Sequence, residues 1–243
     1  MFDVFRFDLA GAVTTQLIAK LAEIELSPLC EPTLNSLEAY QQRFELTQGV
    51  YLLHFDGVPT YAGKADNLLN RLGQHLAKLR GRLNMDLDRV TFKCLLLEAS
   101  WSTAANEDAL IKHFARLGQA RWNGGGFGSN DPGRRRDGAA PSTFDLEYPI
   151  NDQWPCEGIE DHTTVGVTLL SLKQQLPFLL RYEITLEEAT LPLNLTGIPR
   201  TVRRLAIAVK DVLGPKWQLM RFNSHMTLYR THRPYEFGQE EHL

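Results

Sequence analysis

Two short apolar segments, joined by the turn-rich link Asp56-Gly57-Val58-Pro59, carry the triplets Gly49-Val50-Tyr51 and Tyr61-Ala62-Gly63. The pattern predicts a β-hairpin over residues 50–55 and 60–62. A helix is expected to follow over residues 67–83. Residues 90–97, rich in β-branched and apolar side chains, are expected to form a third, central strand. Ser100, Ser102 or Thr103 then offers an N-cap for a helix that ends near Leu117.

The flanks are organised differently. Residues 10–24 repeat Leu17, Ile18, Leu21 and Ile24 at helical spacing, and residues 34–44 read as a second short helix after Pro28 and Pro32. Residues 124–142 combine glycines, two prolines and the run Arg134-Arg135-Arg136, which marks a loop and an internal boundary. Beyond it, residues 168–180 read as a helix interrupted near Pro177, residues 199–213 as a cleaner helix, and residues 217–222 and 226–230 as a hairpin around Asn223-Ser224-His225. The expected organisation is an N-terminal helical arm (1–46), a core with its glycine- and arginine-rich loop (47–142) and an α+β C-terminal extension (143–243) whose chemistry the sequence does not name.

Composition limits the function classes. With 43% hydrophobic and 23% charged residues in 243, a sizeable core is feasible, and neither disorder nor fibrous repetition is indicated. The formal net charge of −3 argues against a general polyanion binder, so any nucleic-acid contact must come from local basic clusters. Cys30, Cys94 and Cys156 form no Cys-x-x-Cys pair and read as reduced structural thiols. The first eight residues carry acids where a signal peptide needs bases, and no apolar run reaches the length of a membrane span, so a cytoplasmic protein is expected.

The helix after Tyr61 carries the first sign of chemistry. At about 100° per residue, Arg71, His75, Lys78 and Arg82 share a face beside a leucine stripe. The ordinary explanation is a solvated charged face; the position just downstream of the two tyrosine triplets argues against it. Glu107 shares a stripe with Leu110, Ile111 and Phe114 at offsets of three, four and seven. A carboxylate there requires a partner, either an ion pair with Arg71 or Lys64 or a metal ion. One carboxylate, completed by waters and phosphate oxygens, suits magnesium. Tyr51 and Tyr61 are ordinary strand aromatics by default. As bases at neutral pH they would need cationic neighbours such as Lys64 and His75.

Taken together, residues 49–123 resemble a GIY-YIG nuclease domain, with Val for Ile in the first triplet and Ala for Ile in the second. The Arg-x-x-x-His spacing and the asparagine-containing glycine loop running into Asn130-Asp131-Pro132-Gly133 are most similar to the type II restriction endonucleases of that superfamily. The resemblance implies an α+β fold: a small three-stranded mixed or antiparallel sheet flanked by helices, with one metal-dependent hydrolytic site. It implies Tyr51 as general base or water-orienting group and Tyr61 as partner of the phosphate or water. Lys64 would add positive charge, Arg71 would clamp the scissile phosphate and His75 would assist proton transfer. Glu107 would bind Mg2+, with Mn2+ substituting, and Asn123 would organise the site.

Double-stranded DNA is then the expected partner. Lys78, Arg82, Arg134, Arg135, Arg136, Arg200, Arg203 and Arg204 are the candidate contacts, with phosphate the commoner target and base edges the informative one. Cutting a palindrome favours a homodimer, and the C-terminal extension is a candidate surface for a protein partner. Two alternatives stay open: a structure-specific, repair or mobile-element nuclease, and a non-cleaving DNA-binding subunit of a defence complex.

Overall fold

A computed structural model of the chain describes residues 8–98, 107–128 and 133–242. The expected N-cap at Ser100, Ser102 or Thr103 and the stretch Asn130-Asp131-Pro132 lie outside the described residues. The fold is α+β and forms two compact units, one drawn from residues 1–77 and 86–128, the other from residues 78–85 and 129–243.

In the first unit the order is α1 (Leu9–Glu23), β1 (Ser27–Pro28), α2 (Glu31–Phe44), β2 (Gly49–Phe55), β3 (Val58–Ala65), α3 (Leu68–Arg80), β4 (Val90–Leu96) and α4 (Glu107–Arg116). The sheet is antiparallel throughout in the order β1-β4-β2-β3. The expected three strands are present, and the two-residue β1 adds a fourth beside β4. The central strand of the three is β2 rather than the segment near residue 90. All seven residues of β2 are buried, as an apolar run covered on both faces should be.

Asp56 and Gly57 form the hairpin turn, both with positive φ, the signature of a type I′ turn whose twist matches the strands. Val58 and Pro59, expected in the turn, already belong to β3. A register shift between Leu53 and His54 leaves Thr60 as an extra residue on β3. Successive side chains alternate between faces. Val50 and Leu52 join Leu17, Leu21, Leu110 and Phe114 in a core supplied by α1 and α4. Residues 9–23 thus pack as part of this unit instead of standing apart as an arm. Tyr51, Leu53 and Phe55 face the opposite way.

Helix α3 starts where the Asn67 side chain accepts from the Asn70 amide (3.0 Å). It buries Leu68, Leu72, Leu76 and Leu79 along one stripe. It ends at Arg80, three residues short of the expected boundary, because Gly81 follows. Arg82 therefore does not continue the cationic stripe.

The second unit contains α5 (Thr143–Glu147), β5 (His162–Thr164), α6 (Val165–Gln175), β6 (Leu179–Tyr182), α7 (Leu186–Ala189), β7 (Pro192–Asn194), α8 (Val202–Leu213), β8 (Gln218–Arg221), β9 (His225–Tyr229) and β10 (Gln239–Glu240). Its main sheet runs β10-β8-β9-β6, with β6 and β9 parallel, and β5 pairs with β7. Leu169, Leu172, Leu205 and Val209 pack with Leu180, Leu219 and Leu228 in its core. Residues 168–180 are not one helix. The Thr164 side chain accepts from the Val167 amide and starts α6 earlier, and after Pro177 the chain extends into β6. The loop expected over 124–142 contains a 3-10 helix, Gly133–Gly138.

Candidate active site

The hairpin places the two tyrosines diagonally on one face. Tyr51 lies opposite Gly63 and Tyr61 opposite Leu53, with ring centroids 6.0 Å apart. The glycines of the pattern are steric necessities. A Cβ at Gly63 would sit 2.5 Å from the Tyr51 hydroxyl oxygen, and one at Gly128 would collide with that of Tyr61.

Helix α3 brings Arg71 and His75, one turn apart, to this face. The Tyr51 hydroxyl lies 2.7 Å from His75 Nε2, and Arg71 Nε donates to the same oxygen at 3.3 Å. Arg71 reaches the Tyr61 hydroxyl as well. Burial, reinforced by the neighbouring Tyr61 and opposed by Arg71, pushes the Tyr51 phenol well above its ordinary range. Its proton stays on. Arg71 is donor only, so the Tyr51 oxygen accepts from it, and in the tautomer with Nε2 unprotonated the Tyr51 O–H donates to His75. His75 is 3% exposed and faces the tyrosines. Phe127 stacks on the imidazole at 4.8 Å and meets the Tyr61 ring edge-on at 5.3 Å.

Arg71 also lines an open cavity of about 420 Å³ together with Lys64 and Glu107, with Asn67, Asn70 and Gln74 along its helical wall. Glu107 Oε1 accepts the Lys64 backbone N–H at 3.4 Å, so its partner is a main-chain amide. No group of three or more His, Cys, Asp or Glu side chains that could hold a metal occurs among the described residues. The half-buried Glu107 carboxylate, opening on a cavity that Lys64 and Arg71 line together with Asp66, fits a hard divalent cation that keeps most of its coordination for water and phosphate oxygens.

Asn123 takes a different place. Its Oδ1 accepts from the Ala62 amide and its Nδ2 donates to the Ala62 carbonyl, both at 2.8 Å. With Ala120 and Trp122 bonded to the carbonyls of Pro59 and Thr60, the side-chain amide continues a strand-like pairing along the outer edge of β3. It fixes the backbone of the second triplet.

The expected DNA contacts divide sharply. Arg82 is 3% exposed and donates to Asp145 Oδ1 at 2.9 Å, to the Tyr148 carbonyl and to the Asn223 carbonyl. It is a buried structural cation and is withdrawn from the DNA-contact set. Arg136 donates to Asp145 and Ser224, both at 3.0 Å. Arg200 bonds the carbonyls of Ile159, Leu195 and Ile198 and pairs with Asp161. Arg203 pairs with Glu241 at 2.6 Å. Lys78 lies over the Phe144 ring. Arg134, Arg135 and Arg204 are exposed. Phe127 and Gly128 lie in the glycine loop but were not among the expected site residues; the Gly-Phe-Gly of the loop, an aromatic between two residues that permit close approach, was their signal.

Burial pushes the Cys94 and Cys156 thiols up to about 11, so neither is a nucleophile at neutral pH. No described helix is long and apolar enough to cross a membrane.

Residues 54–154, about two-fifths of the chain, match the family model described as the Eco29kI GIY-YIG domain. No curated protein matches the chain. The matched stretch is similar to the GIY-YIG nuclease domain of a type II restriction endonuclease family.

Proposed function

We propose that this chain is a divalent-metal-dependent DNA endonuclease of restriction type that hydrolyses phosphodiester bonds within a short palindromic duplex sequence. The observation that carries the reading is the convergence of Arg71 on two features at once. One edge is held by the paired tyrosines and the other opens on the cavity that Glu107 and Lys64 share. A cation anchored by the two phenols, facing a carboxylate across a cavity, suits a phosphate held beside a metal ion.

Arg71 and Lys64 hold the scissile phosphate. Glu107 holds Mg2+, or Mn2+ in its place; when bound, the ion supplies positive charge at the phosphoryl oxygens. As water attacks phosphorus and the P–O bond to the leaving oxygen breaks, the water proton passes to the Tyr51 oxygen and the Tyr51 proton to His75 Nε2. The buried imidazole is the sink and the phenol the conduit, so His75 serves without touching DNA. A homodimer places one such site on each strand of a palindrome. Cytoplasmic restriction of unmethylated phage DNA is the biological role that follows.

The test is digestion of unmethylated phage DNA and supercoiled plasmid by wild type, Glu107→Gln and Tyr51→Phe. Discrete magnesium-dependent fragments, abolished by EDTA and by Glu107→Gln, are expected. Tyr51→Phe should lower kcat about 100-fold or more. A Tyr51→Phe effect confined to KM would reduce Tyr51 to a support for Arg71. Absence of wild-type cleavage on duplex, flap and single-stranded DNA would overturn the nuclease assignment.

A further inference from the structure

Two groups of arginines in the second unit contrast. Arg82, Arg136, Arg181, Arg203 and Arg221 pair with Asp145, Asp137 or Glu241, carboxylates only 1–3% exposed. None can release its partner without stranding a buried charge. Arg134 and Arg230 are different: their side chains are 60% and 59% exposed, Arg134 pairing with Glu183, itself 67% exposed, and Arg230 with Glu188, 13% exposed. The Arg134 pair, exposed on both sides, contributes little and exchanges readily for another anion.

Both converge, with the exposed Arg233, on one place: Arg134, Arg230 and Arg233 line a cavity of about 420 Å³ with Tyr229, Tyr235, Glu183 and, at its floor, Asp137. Each guanidinium rests on a ring: Arg134 on Tyr229 at 4.6 Å, Arg233 on Tyr235 at 5.6 Å and Arg230 on Trp217 at 5.7 Å. A guanidinium held by its face keeps its N–H edges for bidentate bonds to a planar or tetrahedral oxyanion. The floor is rigid, because Asp137 is already neutralised by buried Arg181 and bonded to His225. The volume is that of a small-ligand site.

We propose that this cavity binds phosphodiester groups of the DNA substrate, with Arg134, Arg230 and Arg233 on the phosphate oxygens and the two tyrosines supporting them. The proposal rests on the nuclease reading above and adds a second phosphate subsite, in the unit that lacks the catalytic residues. It also assigns the DNA-contact role within the arginine run to Arg134 and leaves Arg136 as its buried anchor.

The experiment measures binding of full-length Glu107→Gln protein to duplex DNA by fluorescence anisotropy between 0.05 and 0.3 M salt, conditions chosen around the physiological ionic strength of about 0.15 M. Adding Arg230→Gln and Arg233→Gln together should weaken binding about tenfold or more and flatten the slope of log K against log salt by about two. Arg134→Gln should act in the same direction by about one. Lys216→Gln, exposed in the same unit but off the cavity, should change neither. Unchanged affinity and slope in the double variant, with wild-type DNA binding intact, would overturn the cavity assignment alone. No DNA binding by any form, together with no cleavage, would overturn the nuclease reading as well. If inorganic phosphate raises the Tm of wild type but not of the double variant while DNA affinity is equal in both, the site serves free phosphate and the DNA assignment falls.

Discussion

The side chains around His225 form a one-way chain of donors. Arg136 Nε donates to Ser224 Oγ (3.0 Å), Ser224 Oγ lies 2.8 Å from His225 Nδ1, and His225 Nε2 lies 2.8 Å from Asp137 Oδ1. Every group is satisfied when Ser224 donates to Nδ1 and the neutral imidazole donates from Nε2. Burial, with Arg181 and Arg136 adding to it against the pull of Asp137, lowers the His225 pKa from 6.5 to about 4. The unfolded chain then binds the extra proton first. Stability contributed by neutral His225 is complete above about pH 6.5 and is lost as the pH falls toward 4, at up to about 1.4 kcal/mol per pH unit. His54, also lowered to about 4 by burial and Lys93, adds a parallel loss. Urea unfolding of wild type and His225→Gln at pH 7 and pH 5 separates them: the variant should show the smaller decline. Equal declines would mean that His225 is already charged in the fold. The positions of the candidate site residues were more legible than this network. Arg71, His75 and Glu107 sit at fixed offsets on single helices, and helical periodicity reports faces directly. The Arg136–Ser224–His225–Asp137 chain joins residues 88 apart, and no local pattern encodes it.

At the level of elements, the β2–β3 hairpin holds the site by close approach. Tyr51 can cross the strand only because Gly63 has no side chain, and Asn123 ties Ala62 from the other edge. Gly63→Ala should therefore displace the Tyr51 hydroxyl from His75 and Arg71, at a cost of about 1–3 kcal/mol from overpacking. Cleavage rate should fall at least about tenfold, the size of one disturbed hydrogen-bonded group, while the far-ultraviolet circular dichroism stays that of wild type. A Gly63→Ala protein cutting at the wild-type rate would show that the tyrosine contact is dispensable. Helices and strands with their own caps and runs were readable: Asn67 before α3, the apolar run of β2, Gly214 after α8. Strand order was not, because which run lies in the middle of a sheet depends on covering both its faces. The seven consecutive buried residues of β2, next to the mixed burial of β4, hold that information only once the helices are placed. Residues 168–180 were misread because apolar composition is shared by a buried helix and a buried strand, and only length and Pro177 separate them.

For the whole molecule, chain order and structural units part company. Residues 78–85 belong with residues 129–243 although about 40 residues of the other unit intervene. The reason is Asp145, 2% exposed, which needs the Arg82 guanidinium at 2.9 Å and is further bonded by Arg136 and Ser142. Arg82 in turn holds the Tyr148 and Asn223 carbonyls. Gly81 lets this turn lie against Pro177, where a Cβ would collide. A fragment cut at a boundary in the glycine- and arginine-rich loop, residues 129–243, would carry Asp145 without Arg82, leaving a buried carboxylate half-paired at a cost of about 3–5 kcal/mol. At the low end of a domain stability of about 5–15 kcal/mol, that loss brings the fragment near its unfolding midpoint. It should show a broad, low-temperature transition and poor amide protection, and full-length Arg82→Ala should show the same loss confined to this unit by hydrogen exchange. A 129–243 fragment as stable as the same unit in the full chain would mean that Arg82 is a bystander, and that the loop marks a true domain boundary.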